Sequence, residues 1–159
     1  MKNSGFTLVE TLVSLFVLSM AITATFAIIS FNLSNATFIK NNFIASGLAQ
    51  EGAELVRNLR DTDWFQGKPF GYLGGASVAN GVYCIQWNST QLITPCANPL
   101  KKDASGLYSY DAGQNTIFTR TVTVTPVSAT ELRIKIDVTW PDHSGTKAIS
   151  AEEHLFDWY

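Results

Sequence analysis

Hydrophobic residues change their spacing along this chain, and the first two patterns predict one long helix. Residues 11–33 carry no charged side chain, and this stretch exceeds the roughly 20 residues that cross a bilayer core. Across residues 45–59 the apolar positions recur at steps of three and four, the spacing of an amphipathic helix. No proline occurs before Pro69. The pattern therefore predicts one helix from about Phe6 to about Arg60, roughly 80 Å long.

The amphipathic half of this helix is expected to pack one face against a sheet. Glu54 and Arg57 lie off the apolar stripe, one turn apart, where they can form an ion pair. The residues expected to be buried are Ala45, Leu48, Ala49, Gly52, Leu55, Val56 and Leu59.

After an aromatic and Gly/Pro-rich loop at residues 64–75, the apolar period becomes two. The clearest strand is residues 132–140, where apolar and polar side chains alternate as in a sheet with one wet face. Residues 117–125 are rich in Thr and Val, which favour strands. Residues 82–87 predict a shorter strand. One helix followed by strands predicts an α+β fold, with an antiparallel sheet packed against the helix.

The end of the chain predicts a turn and a final strand. The turn lies at residues 141–145, and the strand extends from about 146 to 158. Its apolar alternation is poor, which predicts a bulge near Glu152 and Glu153.

Composition narrows the function classes. A chain of 159 residues has room for one domain with one core. Eleven Lys and Arg residues face thirteen Asp and Glu residues, so the basic stripe of a nonspecific nucleic-acid binder is not indicated. Cys84 and Cys96 are too far apart for a redox Cys-x-x-Cys and too few for a zinc site. In an oxidising compartment they could pair.

The N-terminus admits three interpretations. A secretory signal would be cut after the apolar run, and Thr25-Phe26-Ala27 fits such a site loosely. A single-pass anchor explains the hydrophobicity, with Lys2 holding the short end inside, but it does not explain Glu10. An acid within a bilayer costs a few kcal/mol, so Glu10 indicates a function.

The third interpretation is a resemblance. The hexapeptide Gly5-Phe6-Thr7-Leu8-Val9-Glu10 resembles the cleavage motif of type IV prepilins and type II secretion pseudopilins. The resemblance implies that a prepilin peptidase cuts after Gly5 and methylates Phe6, while Glu10 is kept for assembly. Residues 49–61, 138–140 and 155–158 are also similar to minor pilins.

The resemblance implies a pilin-like organisation. Residues 1–5 would be the leader, 6–33 a transmembrane and filament-core helix, 34–61 its amphipathic continuation, and 62–159 a globular β-rich domain. The protein would lie in the cytoplasmic membrane with its N-terminus inside, then move into an extracellular or periplasmic filament. With that domain exported, Cys84 and Cys96 are expected to form a disulfide, with two free thiols buried in the core as the alternative.

The implied function is structural, without catalysis or a cofactor. The expected partners are the prepilin peptidase, other pilin subunits, an assembly platform driven by an ATPase, and the lipid bilayer before assembly. Many major pilins carry a proline within the apolar helix, and residues 24–28 here have none, which favours a minor pilin. Alternatives are a pseudopilin of a type II secretion or competence system, a tip adhesin or DNA-capture module, and a membrane-anchored enzyme.

Other candidate chemistry is weak. His143 and His154 lack the companions of a metal site. Lys101-Lys102-Asp103 is expected to be a solvated turn. The aromatic loop at residues 64–72 is expected to pack over the helix, with a carbohydrate platform as the alternative. The phosphate-loop, dinucleotide and nucleophile-elbow motifs do not occur in the sequence.

Overall fold

The computed structural model describes residues 7–96 and 98–157. The chain divides into two compact units, Met1–Asn41 and Asn42–Tyr159. One α-helix, α1, covers Leu8–Phe65 and so contributes to both units. The expected start of the helix at Phe6 lies outside the described residues.

Helix α1 continues five residues beyond the expected end at Arg60. The stop is a Schellman turn: the N–H of Gly67 donates to the Trp64 carbonyl, and the N–H of Lys68 donates to the Asp63 carbonyl, both at 2.9 Å. Gly67 has a φ of 70°, which glycine adopts without strain. The predicted helix ends too early because the aromatic residues from Trp64 onward were assigned to the loop, whereas Trp64 and Phe65 belong to α1.

In the part of the chain that the structure describes, seven β-strands follow the helix. They form a four-stranded antiparallel sheet in the order β1-β5-β6-β7 and a small sheet in the order β3-β2-β4. Their bounds are β1 Gly81–Tyr83, β2 Lys101–Lys102, β3 Tyr108–Ser109, β4 Gln114–Asn115, β5 Thr119–Ser128, β6 Glu131–Asp142 and β7 Gly145–Phe156.

The hydrophobic core of the second unit lies between α1 and the large sheet. The predicted stripe on α1 is buried except for Leu55, which is half-buried. Alternate residues of β6, from Leu132 to Trp140, supply the opposite wall. The expected α+β fold, a long N-terminal helix packed against an antiparallel sheet, is confirmed.

The predicted bulge near Glu152 and Glu153 is wrong. β7 pairs with β6 in continuous register through both residues, and the irregularity lies between Pro126 and Ser128 of β5 instead. Alternation along β7 is poor because Glu153 faces inward. There its carboxylate pairs with Arg57 of α1 at 2.6 Å, and Arg57 also makes the predicted pair with Glu54 at 2.7 Å.

The predictions for residues 82–87 and 101–103 also need correction. The strand expected at residues 82–87 ends at Tyr83, because Cys84 leaves β5 and bridges to Ile93. Lys101 and Lys102, expected in a solvated turn, form β2 at the centre of the small sheet. Asp103 makes the following turn by accepting hydrogen bonds from two backbone N–H groups.

Candidate functional site

The start of α1 is capped by a side chain. Thr7 Oγ1 accepts a hydrogen bond from the N–H of Glu10 at 3.3 Å, and the Thr7 carbonyl accepts one from the N–H of Thr11 at 3.2 Å. Thr7 is thus the N-cap, and Glu10 is the third helical residue, the positions of a capping box. Sequence reasoning gave Thr7 no role, although Thr-x-x-Glu before an apolar run is the signal of such a cap.

Glu10 therefore has a local function besides any role in assembly. A carboxylate in the first turn is favoured by the positive end of the helix dipole. Its side chain is exposed, and the ion pairs found within residues 7–96 and 98–157 do not include it. A cation for Glu10 in an apolar environment must come from outside those residues.

The N-terminal part of α1 is apolar and uncovered. Every residue from 7 to 40 is exposed, including large side chains such as Leu15, Phe16 and Phe26. Within the described chain, α1 is one helix whose length and composition suffice to cross a membrane, and its apolar window has no burial. The absence of burial distinguishes it from the core helix of a soluble protein.

Several hydroxyl side chains in this stretch donate to backbone carbonyls of the same helix. Ser14 Oγ donates to the Glu10 carbonyl and Thr25 Oγ1 donates to the Ala21 carbonyl, both at 2.8 Å. Such bonds return the hydroxyl to its own backbone, so these residues need no water. The surface is compatible with hydrocarbon or with the apolar faces of other helices.

Arg120 joins α1 to the sheet in the second unit. It lies on the buried face of β5 and is fully buried. Nη1 donates to the Leu48 carbonyl at 3.0 Å and pairs with Glu51 Oε2 at 3.1 Å, while Nη2 donates to the Ile85 carbonyl at 2.6 Å. Removing these partners would leave a buried charge unpaired, so this anchor fixes the position of the helix.

Cys84 and Cys96 are joined in a disulfide in this structure, with Cα atoms 5.3 Å apart. This separation suits a disulfide. Their sulfurs lie 3.7 and 3.5 Å from the carbonyl oxygen of Arg120. That Cys84 and Cys96 are oxidised in the cell stays a prediction.

His154 lies in a group of carboxylates on the outer face of the sheet. Its Nδ1 is 2.6 Å from Glu131 Oε1, and its Nε2 is 3.5 Å from Glu152 Oε1. The hydrogen bond to Glu131 raises the pKa of His154 above its ordinary value, with a smaller contribution from Glu152. Within the described residues, no group of three or more His, Cys, Asp or Glu side chains could hold a metal ion.

In the aromatic loop predicted at residues 64–72, some side chains are packed as expected and others are exposed. Phe70 is half-buried against the core, but Trp64 and Phe65 are 56% and 87% exposed. They are the last two residues of α1, and the Schellman turn at Gly67 ends the helix beyond them.

A family model, described as the prokaryotic N-terminal methylation motif, matches residues 1–26. The chain carries the type IV prepilin cleavage and methylation motif. Comparison with curated proteins and with solved structures found no match. The resemblance is confirmed for these residues, and it supports a type IV pilin-like prepilin or pseudopilin. Gly5 and Phe6, where cleavage is predicted, lie outside the described residues.

The prepilin motif gives the apolar helix a context. Proteins with this motif are structural, are processed by a peptidase and assemble with other pilins. The motif and the exposed apolar helix both fit membrane anchoring. Thr7 and Glu10 both fall within the matched residues.

Proposed function

We propose that this protein is a structural subunit of a type IV pilus-like filament, cut after Gly5 and assembled through its N-terminal helix. The main support is that the prepilin motif continues into a helix whose residues 7–40 are all exposed. A surface of that size must be covered, because exposed apolar area is unfavourable in water. Lipid covers it before assembly, and helices of neighbouring subunits cover it afterwards.

The proposed division of the chain follows from this use of the helix. Residues 1–5 are the leader, 6–33 cross the membrane and enter the filament core, 34–61 continue the helix, and 62–159 form the exported domain. Lys2 keeps the leader in the cytoplasm. The partners are the prepilin peptidase, other pilin subunits, and a membrane platform whose ATPase supplies the energy for extraction.

The finer proposal is a minor pilin. α1 contains no proline, since the first is Pro69, and the resemblance associates a proline in this helix with many major pilins. A pseudopilin is the alternative, because the same motif supports it. Recovery of the protein in filaments sheared from the cell surface would favour the pilin, whereas retention in the periplasm would favour the pseudopilin.

The experiment that tests the proposal is N-terminal mass analysis of the protein from its native host. We expect a mature chain that begins at Phe6 with a methylated amine. A chain that begins at Ile28 would show an ordinary signal peptide and would overturn the proposal.

Two variants make this test sharper. Gly5→Leu should leave a full-length precursor, since it removes the small residue at the junction. Ala27→Leu should be processed as the wild type is, because position 27 matters only to a signal peptidase. The reverse pattern would contradict prepilin processing.

A further inference from the structure

A cavity of about 520 Å³ lies at the C-terminal end of α1, inside the second unit. Its walls come from the last turns of the helix, the loop that follows, and the end of β7. The volume lies within the roughly 300–1,000 Å³ typical of small-molecule sites. The aromatic lining residues are Trp64, Phe65, Phe70, Tyr72 and Phe156.

Aromatic rings form much of the wall and are presented to solvent. Trp64 and Phe65 are mostly exposed, and Phe156 is 38% exposed. A domain that only needed to fold would gain by burying such rings. The Schellman turn at Gly67 ends α1 just beyond Trp64 and Phe65. Phe156 lies at the end of β7.

The polar groups of the cavity are partly engaged in holding it together. Arg60 Nε pairs with Asp61 at 2.6 Å, and Arg60 Nη1 donates to the Phe156 carbonyl at 3.4 Å. The hydrogen bond to Phe156 joins the helix to the end of β7. The two Asp63 carboxylate oxygens accept from the Gly75 N–H at 2.8 and 2.9 Å, which fixes the loop.

The charge of the lining is nearly balanced. Arg60 and Lys68 are cations, and Asp61, Asp63 and Asp157 are carboxylates. A strongly anionic or cationic ligand would meet like charges as well as opposite ones. The lining therefore favours a ligand that is neutral, has apolar faces, and carries hydroxyl groups at its edges.

A pyranose ring has that combination. Its C–H faces contact aromatic rings, and its hydroxyls hydrogen-bond to carboxylates and ammonium groups. A quaternary ammonium ligand would also use aromatic rings, but Arg60 and Lys68 oppose it. We propose that the cavity at the end of α1 binds a neutral carbohydrate. This proposal concerns the exported unit and does not depend on filament assembly.

The test is binding of the purified full-length chain, in a detergent without a sugar headgroup, to an array of oligosaccharides. The neutral arm displays galactose, glucose and N-acetylhexosamine termini, and the acidic arm displays the same chains with sialic acid. We expect binding to the neutral arm, competed by the same oligosaccharide free in solution. No binding to it, or binding only to the acidic arm, would overturn the proposal.

Two substitutions locate the binding. Trp64→Ala should weaken it by about tenfold, as removal of a stacking aromatic does at a binding centre. Trp87→Ala removes an equally exposed tryptophan outside the cavity and should change binding by less than about twofold. Circular dichroism checks the fold, and Phe65→Ala replaces Trp64→Ala if the latter unfolds. Equal effects at the two tryptophans would contradict the assignment.

Discussion

We propose that Glu10 has an intermolecular role in assembly besides its local role at the start of α1. As the third residue of a capped helix it stabilises the first turn. Cleavage after Gly5 would leave the Phe6 amine as the N-terminus, a group that carries a positive charge in ordinary peptides at neutral pH. In a low dielectric the two opposite charges offset each other's desolvation. A docked subunit's Glu10 can therefore pair with the Phe6 amine of the incoming subunit and set axial register.

Glu10→Gln isolates this charge, because glutamine also satisfies a capping box. We expect the variant to be made, inserted and cut normally but to enter filaments poorly. The measurement is its content in sheared filaments at matched membrane levels. Glu54→Gln is the control, since Glu54 is an exposed carboxylate on the same helix. Equal incorporation of Glu10→Gln and wild type would show that Glu10 does not determine assembly.

The disulfide between Cys84 and Cys96 is expected to stabilise the fold. The two cysteines are 12 residues apart in the sequence. By chain-entropy estimates, a disulfide that closes a loop of this size stabilises the folded state by about 3 kcal/mol. Cys84→Ala with Cys96→Ala should lower the free energy of unfolding of the second unit by about that amount. Nonreducing peptide mapping of exported protein should recover the two peptides joined. Recovery of both thiols free would remove the bridge from the proposal.

At the level of elements, the long helix and the strands β5 and β6 were predictable because their patterns are strong. Helix and half-buried strand differ in period, and both periods are plain in the sequence. β7 was harder, because Glu153 occupies an inward position that only its partner Arg57 on α1 explains. The two-residue strands of the small sheet are too short to show a period.

The candidate site was predictable where its residues interrupt or form a strong sequence pattern. Glu10 stands out because a charge interrupts an apolar run, and the Gly-Phe junction is a specific motif. Arg120 does not stand out, since its burial depends on a carbonyl and a carboxylate supplied by a distant helix. The cavity depends on where the helix ends, and a hydrogen-bonded turn at Gly67 decides that.

Close contact between α1 and the sheet depends on Gly52. A Cβ there would lie 3.0 Å from Ile136 Cγ2 and 3.2 Å from Arg120 Cδ. Gly52→Leu should therefore destabilise the unit by about 1–3 kcal/mol through overpacking. Gly47 has no atom within 4 Å of such a Cβ, so Gly47→Leu should stabilise it by up to about 0.8 kcal/mol. Urea unfolding measures both, and equal effects would contradict the contact.

On the scale of the whole molecule, the chain combines a unit with its own core and a segment that has none. Residues 7–40 are all exposed, whereas the buried apolar side chains lie from Ala45 onward. The second unit therefore has the contacts needed to fold in water, and the first needs another apolar environment.

Removal of the apolar segment should separate these properties. We expect the full chain to stay with the membrane during alkaline extraction. A polypeptide of residues 34–159 should be soluble and show a cooperative thermal transition. Release of the full chain by alkali would argue against a spanning helix, and aggregation of the shorter polypeptide would argue against an independent core.

The Arg120 anchor has a mechanical consequence for a subunit held in a fibre. Tension on a fibre would enter each subunit along α1, and the guanidinium connects that helix to β5 and to the Ile85 segment at once. Pulling the helix from the sheet would break the contacts of the guanidinium with the Leu48 carbonyl and with Glu51, whereas its hydrogen bond to the Ile85 carbonyl would stay. Force on α1 is thus transmitted both to β5 and to the Ile85 segment. The contacts of Arg120 therefore oppose sliding of the helix along the sheet as well as its separation from the sheet.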